Sequence, residues 1–333
     1  MTSAPSTEAT GAPSAAPGAL RHGRSAAGLG AGITAGLVWG LSFLLPVLVG
    51  GWNPVIVTVG RYLAYGLLSA LLFALGGRRM RELARQHWRR ALMFAVAGNV
   101  GYYLLLVVGI RTAGAPLTDM VIGAIPVTVA VAGNRLSPAY RWRRLALPLT
   151  LVTAGLLLVS TLEIAGVHAY QPGSPGEKVA GLTAACAAVV LWTWYALVNA
   201  RFLAAHQAAS PAHWSTVVGV ATGVVTLAGL PLAAVTGQLA APASGKPGIG
   251  ALIAAVVILG VVVSWTGTWL WNLTSARLSP TLAGLLVNIE TVAGFAYVYA
   301  AKLQWPPPGQ LTGLLLVVAG VALAAGQGVG SNL

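Results

Sequence analysis

Nearly all of the chain after residue 27 consists of long apolar runs separated by short polar stretches. A helix rises 1.5 Å per residue, so about 20 apolar residues cross the roughly 30 Å of hydrocarbon in a bilayer. On that measure the runs predict ten helices, at 29–49, 54–76, 91–110, 115–133, 145–163, 178–202, 213–236, 249–272, 279–300 and 309–327. Asn53-Pro54 and Ser279-Pro280 read as helix starts, a capping side chain followed by proline in the first turn. The expected fold is an all-α polytopic membrane protein.

Composition agrees with the pattern. Apolar residues make up 57% of the 333 and charged residues only 8%, against about 25% charged in a soluble domain. Residues 1–27 are rich in Ala, Ser, Pro, Thr and Gly and are expected to be a disordered cytoplasmic tail; 328–333 form a short C-terminal one. The first apolar run is too long for the core of a signal peptide, so it is expected to stay as a span. Cys186 is the sole cysteine, which excludes an intrachain disulfide. The sequon Asn272-Leu273-Thr274 falls at a helix end and is read as chance.

The net charge of +13 does not point to nucleic acid, because the basic residues cluster in short loops between apolar runs. With the N-terminus in the cytoplasm, fourteen Lys and Arg residues fall on the cytoplasmic side and four on the other, with Arg61 left inside the second span. Both termini are therefore expected to be cytoplasmic, in a plasma-membrane (inner-membrane) protein. The basic stretch 77–90, GRRMRELARQHWRR, is expected to be a solvated loop beside the lipid headgroups that fixes topology and carries no ligand.

The chain also reads as duplicated. AGLVW, ending at Trp39, matches AVVLW, ending at Trp192. PLTDMVIGAIPVTVAV from Pro116 lies without gaps against PTLAGLLVNIETVAGF from Pro280, and TAGLLLV from Thr153 resembles VAGVALA from Val318. This divides the chain into a first repeat at 28–163, a linker at 164–177 and a second repeat at 178–327. Five spans per half is an odd number, so the second half enters the membrane inverted. Inverted repeats are typical of secondary transporters, which place the substrate near the midplane between the halves.

In LVWGLSF at Leu37, GRYLAYGLL at Gly60, GYYLLLVVGIRTAGAPLTDMVIGAIPV at Gly101 and WLWNLTSARLSPTLAGLLVNIETV at Trp269, the chain resembles the drug/metabolite transporter superfamily, in its ten-helix EamA-type branch. The resemblance implies an inverted-repeat carrier, most of which export small metabolites, amino acids or drugs. The chain departs from the family in having Glu290-Thr291 where Glu-Pro is frequent. It also has Gly133-Asn134 and Ala300-Ala301 where a Gly-Glu pair often closes the fourth and ninth spans.

Six acidic residues occur, and only Asp119 and Glu290 lie away from the tail, the loops and the span ends. Glu290 is ten residues past Pro280, about 15 Å into its helix and so near the bilayer middle. A carboxylate there costs several kcal/mol unless it meets water, a partner or a proton, which makes it the leading candidate for substrate binding and proton coupling. The plainer reading is a buried acid bonded to neighbouring helices. Tyr297 shares its face at i+7. Asp119, a weaker candidate, is expected in the first turn of the fourth span, opposite Arg111. Arg61, about 10 Å into its span, reads equally as a snorkelling side chain or as a counter-ion in a cavity.

Trp39, Asn99, Tyr102, Tyr103, Trp192, Tyr195, Trp265 and Trp269 recur at helical spacing, with Asn199 on the face of Trp192 and Tyr195, and are expected to line that cavity, although packing explains each of them too. Trp52, Trp271 and Trp305 are read as interfacial aromatics. Gly32, Gly36 and Gly40 repeat every four residues, a pattern for close helix packing. The expected function is a carrier that exports small organic solutes, amino acids or amphipathic drugs, by alternating access, with proton coupling through Glu290. The alternatives are an uncoupled facilitator or channel, and an integral-membrane enzyme acting on lipid-linked substrates. An enzyme needs an acid–base or metal cluster, whereas the five histidines fall in the tail, in loops or at span ends. No metal, cofactor or nucleic acid is expected; the partners are the bilayer and a small molecule.

Overall fold

The computed structural model describes residues 17–166, 174–240 and 248–330. Residues 1–16, 167–173 and 331–333, within the expected tails and linker, lie outside these, as do Glu8, His168 and Lys246. Among the described residues there are helices and no strands. Ten helices are long and apolar enough to cross a membrane. They are α1 (Ser25–Leu45), α2 (Pro54–Leu75), α3 (Arg78–Ala113), α4 (Leu117–Leu136), α5 (Trp142–Leu162), α6 (Pro175–Ala205), α7 (Pro211–Val235), α8 (Ile249–Ser275), α9 (Pro280–Ala301) and α10 (Pro308–Gln327). Each coincides with one of the ten apolar runs.

Two boundaries differ from expectation. The helix that carries α1 begins at Pro17, so the end of the expected tail is helical. Proline at the first position suits a helix start, and no further proline interrupts the stretch before the span. The basic stretch 77–90 is helix rather than loop, continuous with α3 apart from a kink at His87 (φ −125°, ψ 17°). Its sequence is amphipathic: Met80, Ala84 and Ala91 are buried while Arg78, Arg79, Arg81 and Arg85 are exposed. An apolar stripe at that spacing is enough to hold a helix against its neighbours.

Caps fix several starts. Asn53 Oδ1 accepts from Val55 N at 2.9 Å ahead of Pro54, and Ser279 Oγ accepts from Leu282 N at 3.3 Å ahead of Pro280. Ser174 and Glu177 form a reciprocal capping box at the start of α6.

Four spans are interrupted. α3 contains a π-helical turn at Val96–Val100, and α8 contains one at Leu259–Thr266. α4 consists of helices Ala115–Ile122 and Ile125–Leu136, and α9 of Pro280–Leu286 and Asn288–Ala301. Each bend falls seven residues after its proline, at Gly123 after Pro116 and at Val287 after Pro280. In α4 the cause is Pro126, which brings no N–H to the Ile122 carbonyl. In α9 the Asn288 side chain donates to the Leu285 carbonyl at 2.9 Å, taking over a bond that the regular ladder would make.

The helix pairing has a regularity of its own. α1 packs on α8 and α9, and α6 packs on α3 and α4. α2 packs on α8, and α7 on α3, while α2–α7, α4–α9 and α5–α10 pair with each other. Adding five to each helix number, modulo ten, exchanges these pairs among themselves, whereas the smaller α7–α8 and α6–α8 contacts have no counterpart of similar extent.

Close approach explains the glycine stripe of α1. A Cβ on Gly36 would come within 2.7 Å of Ile289 Cβ and 3.1 Å of Glu290 N, and one on Gly40 within 2.7 Å of Ala293 Cβ. Only glycine lets α1 sit this near the α9 backbone.

Candidate functional site

The bend in α9 sets the position of Glu290. It is the third residue of the helix that restarts at Asn288, so it lies in a first turn in the middle of a span. An acidic side chain complements the N–H groups of a helix start. Its own N–H bonds the Val287 carbonyl at 2.9 Å in a tighter, 3₁₀-like turn. The side chain is half-buried, and the guanidinium of Arg61 acts on it electrostatically.

Arg61, half-buried in α2, is held on two sides. Its Nε donates to Ser264 Oγ at 2.8 Å, and Ser264 belongs to the π-helical turn of α8. Its Cζ lies 5.5 Å from the ring centroid of Tyr62. Tyr62 meets Tyr103 edge-on at 6.5 Å. The Tyr102 hydroxyl feels the charges of Glu290, Asp119 and Arg61 together. Arg61 thus stands at a polar centre, in contact with Tyr62 of α2 and through it with Tyr103 of α3, with Tyr102 of α3 and Glu290 of α9 within range of its charge.

An aromatic wall stands beside this centre. Trp271 lies between Trp39 (5.8 Å) and Trp192 (5.7 Å), and Trp192 meets Tyr195 at 6.0 Å. The Trp39 indole also covers Gly267 of α8, as the Tyr195 ring covers Gly98 of α3. Trp192 and Tyr195 are buried core residues, packed more tightly than a cavity lining would be. Asn99 donates to Thr222 Oγ1 of α7 at 3.0 Å from the π-helical turn of α3, the counterpart of the Arg61–Ser264 link. Trp265 donates to Thr216 Oγ1 at 3.2 Å and stacks near Trp269 at 5.9 Å, against α7. Tyr297 ties α9 to α1 through the Leu37 carbonyl at 3.1 Å. Asp119 is exposed and is the fifth residue of its helix, one residue past the expected first turn. Arg111 donates to Gln238 Oε1 at 2.6 Å.

Several functional-looking residues escaped the sequence pattern. Trp271, read as interfacial, is 3% exposed, and its Nε1 has no hydrogen-bond partner among the described residues. Its helix continues to Ser275 and is covered by α1 and α6, which no sequence window reveals. Asn272 is buried in a network in which its amide donates to Ser215 Oγ (2.7 Å) and its carbonyl accepts from Asn199 (2.8 Å). Asn199 accepts from Trp214 Nε1 at 3.0 Å, and the Tyr65 hydroxyl donates to the Ser215 carbonyl at 3.0 Å. Asn134, where the resembled family often has Glu, instead staples the α4–α5 turn by accepting from Ala139 N and Tyr140 N and donating to Tyr140 O.

Cavities open elsewhere. One of about 440 Å³ lies between the basic start of α3 and α7, and one of about 100 Å³ lies beside the α4 bend at Gly123 and Ala124.

Ten apolar spans around a charged centre define an integral membrane protein of the polytopic helical class. The chain belongs to the family of the inner membrane protein YtfF. It is 35% identical to that protein of Escherichia coli (strain K12) over 301 residues, which cover 88% of this chain and 92% of the relative. No protein-family model matches the sequence. A solved crystal structure of a protein with 22% identity overlays with a TM-score of 0.70, over 90% of this chain and 96% of the other, a likeness of fold.

Proposed function

We propose that the protein is a secondary transporter of the ten-helix EamA type in the drug/metabolite transporter superfamily. In this reading it resides in the inner membrane, with both termini cytoplasmic, and exports small organic solutes by alternating access. The observation that carries the reading is Glu290, in the first turn of a restarted helix mid-span, facing the field of Arg61. Ionisable groups at that depth are costly to keep and mark solute or proton paths. Broken helices at a membrane midplane supply such sites in secondary carriers.

Two inverted five-helix repeats are part of the same reading. Support comes from the paired bends of α4 and α9, the paired π turns of α3 and α8, and the main helix pairs, which a shift of five exchanges among themselves. Substrate and protons then meet between the halves, where the Arg61–Ser264 and Asn99–Thr222 links cross. A single cationic residue beside aromatic rings suits an amino acid or an amphipathic solute better than a polyanion. The reading is tested by counterflow in proteoliposomes against a panel of amino acids and cationic amphiphiles. Saturable exchange of at least one class supports it; no exchange by folded protein across the panel counts against it.

A further inference from the structure

The cavity of about 440 Å³ lies away from the polar centre. It is lined by Phe73 of α2, by Arg81, Ala84, Arg85 and Trp88 of α3, and by Val217 and Val220 of α7. Arg81, Ala84 and Arg85 are spaced i, i+3 and i+4 and share one helix face, and Trp88 joins them from beyond the kink at His87. Arg81 and Arg85 are exposed, and they border a cavity whose lining is almost wholly apolar. The volume falls in the range of small-ligand sites.

Position in the bilayer decides what fits. Phe73 is two residues from the end of α2, and α3 begins just beyond it. Val217 and Val220 are six and nine residues into α7, about 9 and 14 Å along its axis. The groove therefore starts at the headgroup level, where the arginines lie, and runs into the acyl region. Arg78, Arg79, Arg89 and Arg90, on the same stretch, add to the positive field. A soluble anion satisfies the arginines but leaves the apolar floor wet, and a zwitterionic lipid carries a cation into that field.

We infer that this groove is a binding site for an anionic phospholipid. The phosphodiester is held by Arg81 and Arg85, and one acyl chain runs past Phe73 and Ala84 along Val217 and Val220. Basic pockets beside transmembrane helices recognise anionic headgroups by this combination of bidentate arginine bonds and apolar burial. The stretch thus does more than set topology: it gives the α2–α3 connection a lipid to lean on.

The test is native mass spectrometry of the full-length chain in detergent, titrated with phosphatidylglycerol, with phosphatidylcholine of the same acyl chains, and with glycerol 3-phosphate. The expected result is one phosphatidylglycerol held at least tenfold more tightly than phosphatidylcholine, without competition from glycerol 3-phosphate. Arg81→Gln/Arg85→Gln removes that preference. Arg78→Gln/Arg79→Gln, an equal change of charge outside the groove, keeps it. Val220→Trp fills the floor and weakens binding with every arginine in place, so loss of the lipid cannot be put down to charge alone. Equal retention of the two lipids, equal loss in both arginine pairs, or full competition by glycerol 3-phosphate would overturn the proposal. Circular dichroism melts confirm that each variant is folded.

Discussion

Gly36 of α1 lies so close to α9 that a side chain there would meet the backbone nitrogen of Glu290 at 3.1 Å. The helix that carries the charge of the centre is thus seated directly on a helix of the other half of the chain. The contact works only because the α1 position has no Cβ, and it ties the orientation of the Glu290 turn to the packing of α1.

Gly36→Leu is expected to force α1 and α9 apart. Overpacking of this kind costs about 1–3 kcal/mol. The melting temperature in detergent should fall, and transport should fall with it. Gly30→Leu is the control, because a side chain there meets nothing within 4 Å. Equal stability of the two variants would remove the close-packing account.

Asn272 bonds both Asn199 and Ser215 in the core. Asn272→Leu is expected to leave the buried Asn199 amide nitrogen without its acceptor and to take one donor from Ser215 Oγ, which keeps its bond to the Pro211 carbonyl, at about 1–3 kcal/mol. A thermal melt of the purified protein measures it. Asn272→Leu combined with Asn199→Leu should cost less than the sum of the two single changes, since the second removes a group already orphaned.

Arg61 owes its orientation to Ser264 Oγ. Ser264→Ala should raise the solute concentration needed for half-maximal transport a few-fold while leaving the charge in place. Arg61→Gln should reduce transport at least tenfold. If Arg61→Gln transports normally, the arginine only snorkels and takes no part in the centre.

Fourteen of the Lys and Arg residues are assigned to one side. A C-terminal fusion to alkaline phosphatase should therefore be inactive, and one to a fluorescent protein that matures in the cytoplasm should be bright. An active phosphatase fusion would invert the topology.

The ten spans were legible because an apolar run of about 20 residues has few other uses. Glu290 stood out for the same reason, as an acid where lipid-compatible residues surround it. What stayed hidden depends on contacts between distant segments. The helix at 78–95 reads as a loop when its charges are weighed, and as a helix only when Met80, Ala84 and Ala91 are seen to be buried together. Trp271 looked interfacial because it lies near a predicted helix end, yet α1 and α6 close over it. The π turns of α3 and α8 have no local signature; Val96–Val100 and Leu259–Thr266 are apolar stretches like their neighbours, apart from Asn99, Ser264 and Trp265.

The central claim is that Glu290 couples solute movement to protons. Its most direct test is transport in proteoliposomes by wild type and Glu290→Gln, with and without an imposed pH gradient. Gln keeps the size and the hydrogen-bonding capacity but cannot titrate. Wild type should be accelerated by the gradient; the variant, folded and still able to exchange solute, should lose that acceleration at least tenfold. A variant that responds to the gradient as wild type does would contradict the account and leave Glu290 a structural acid.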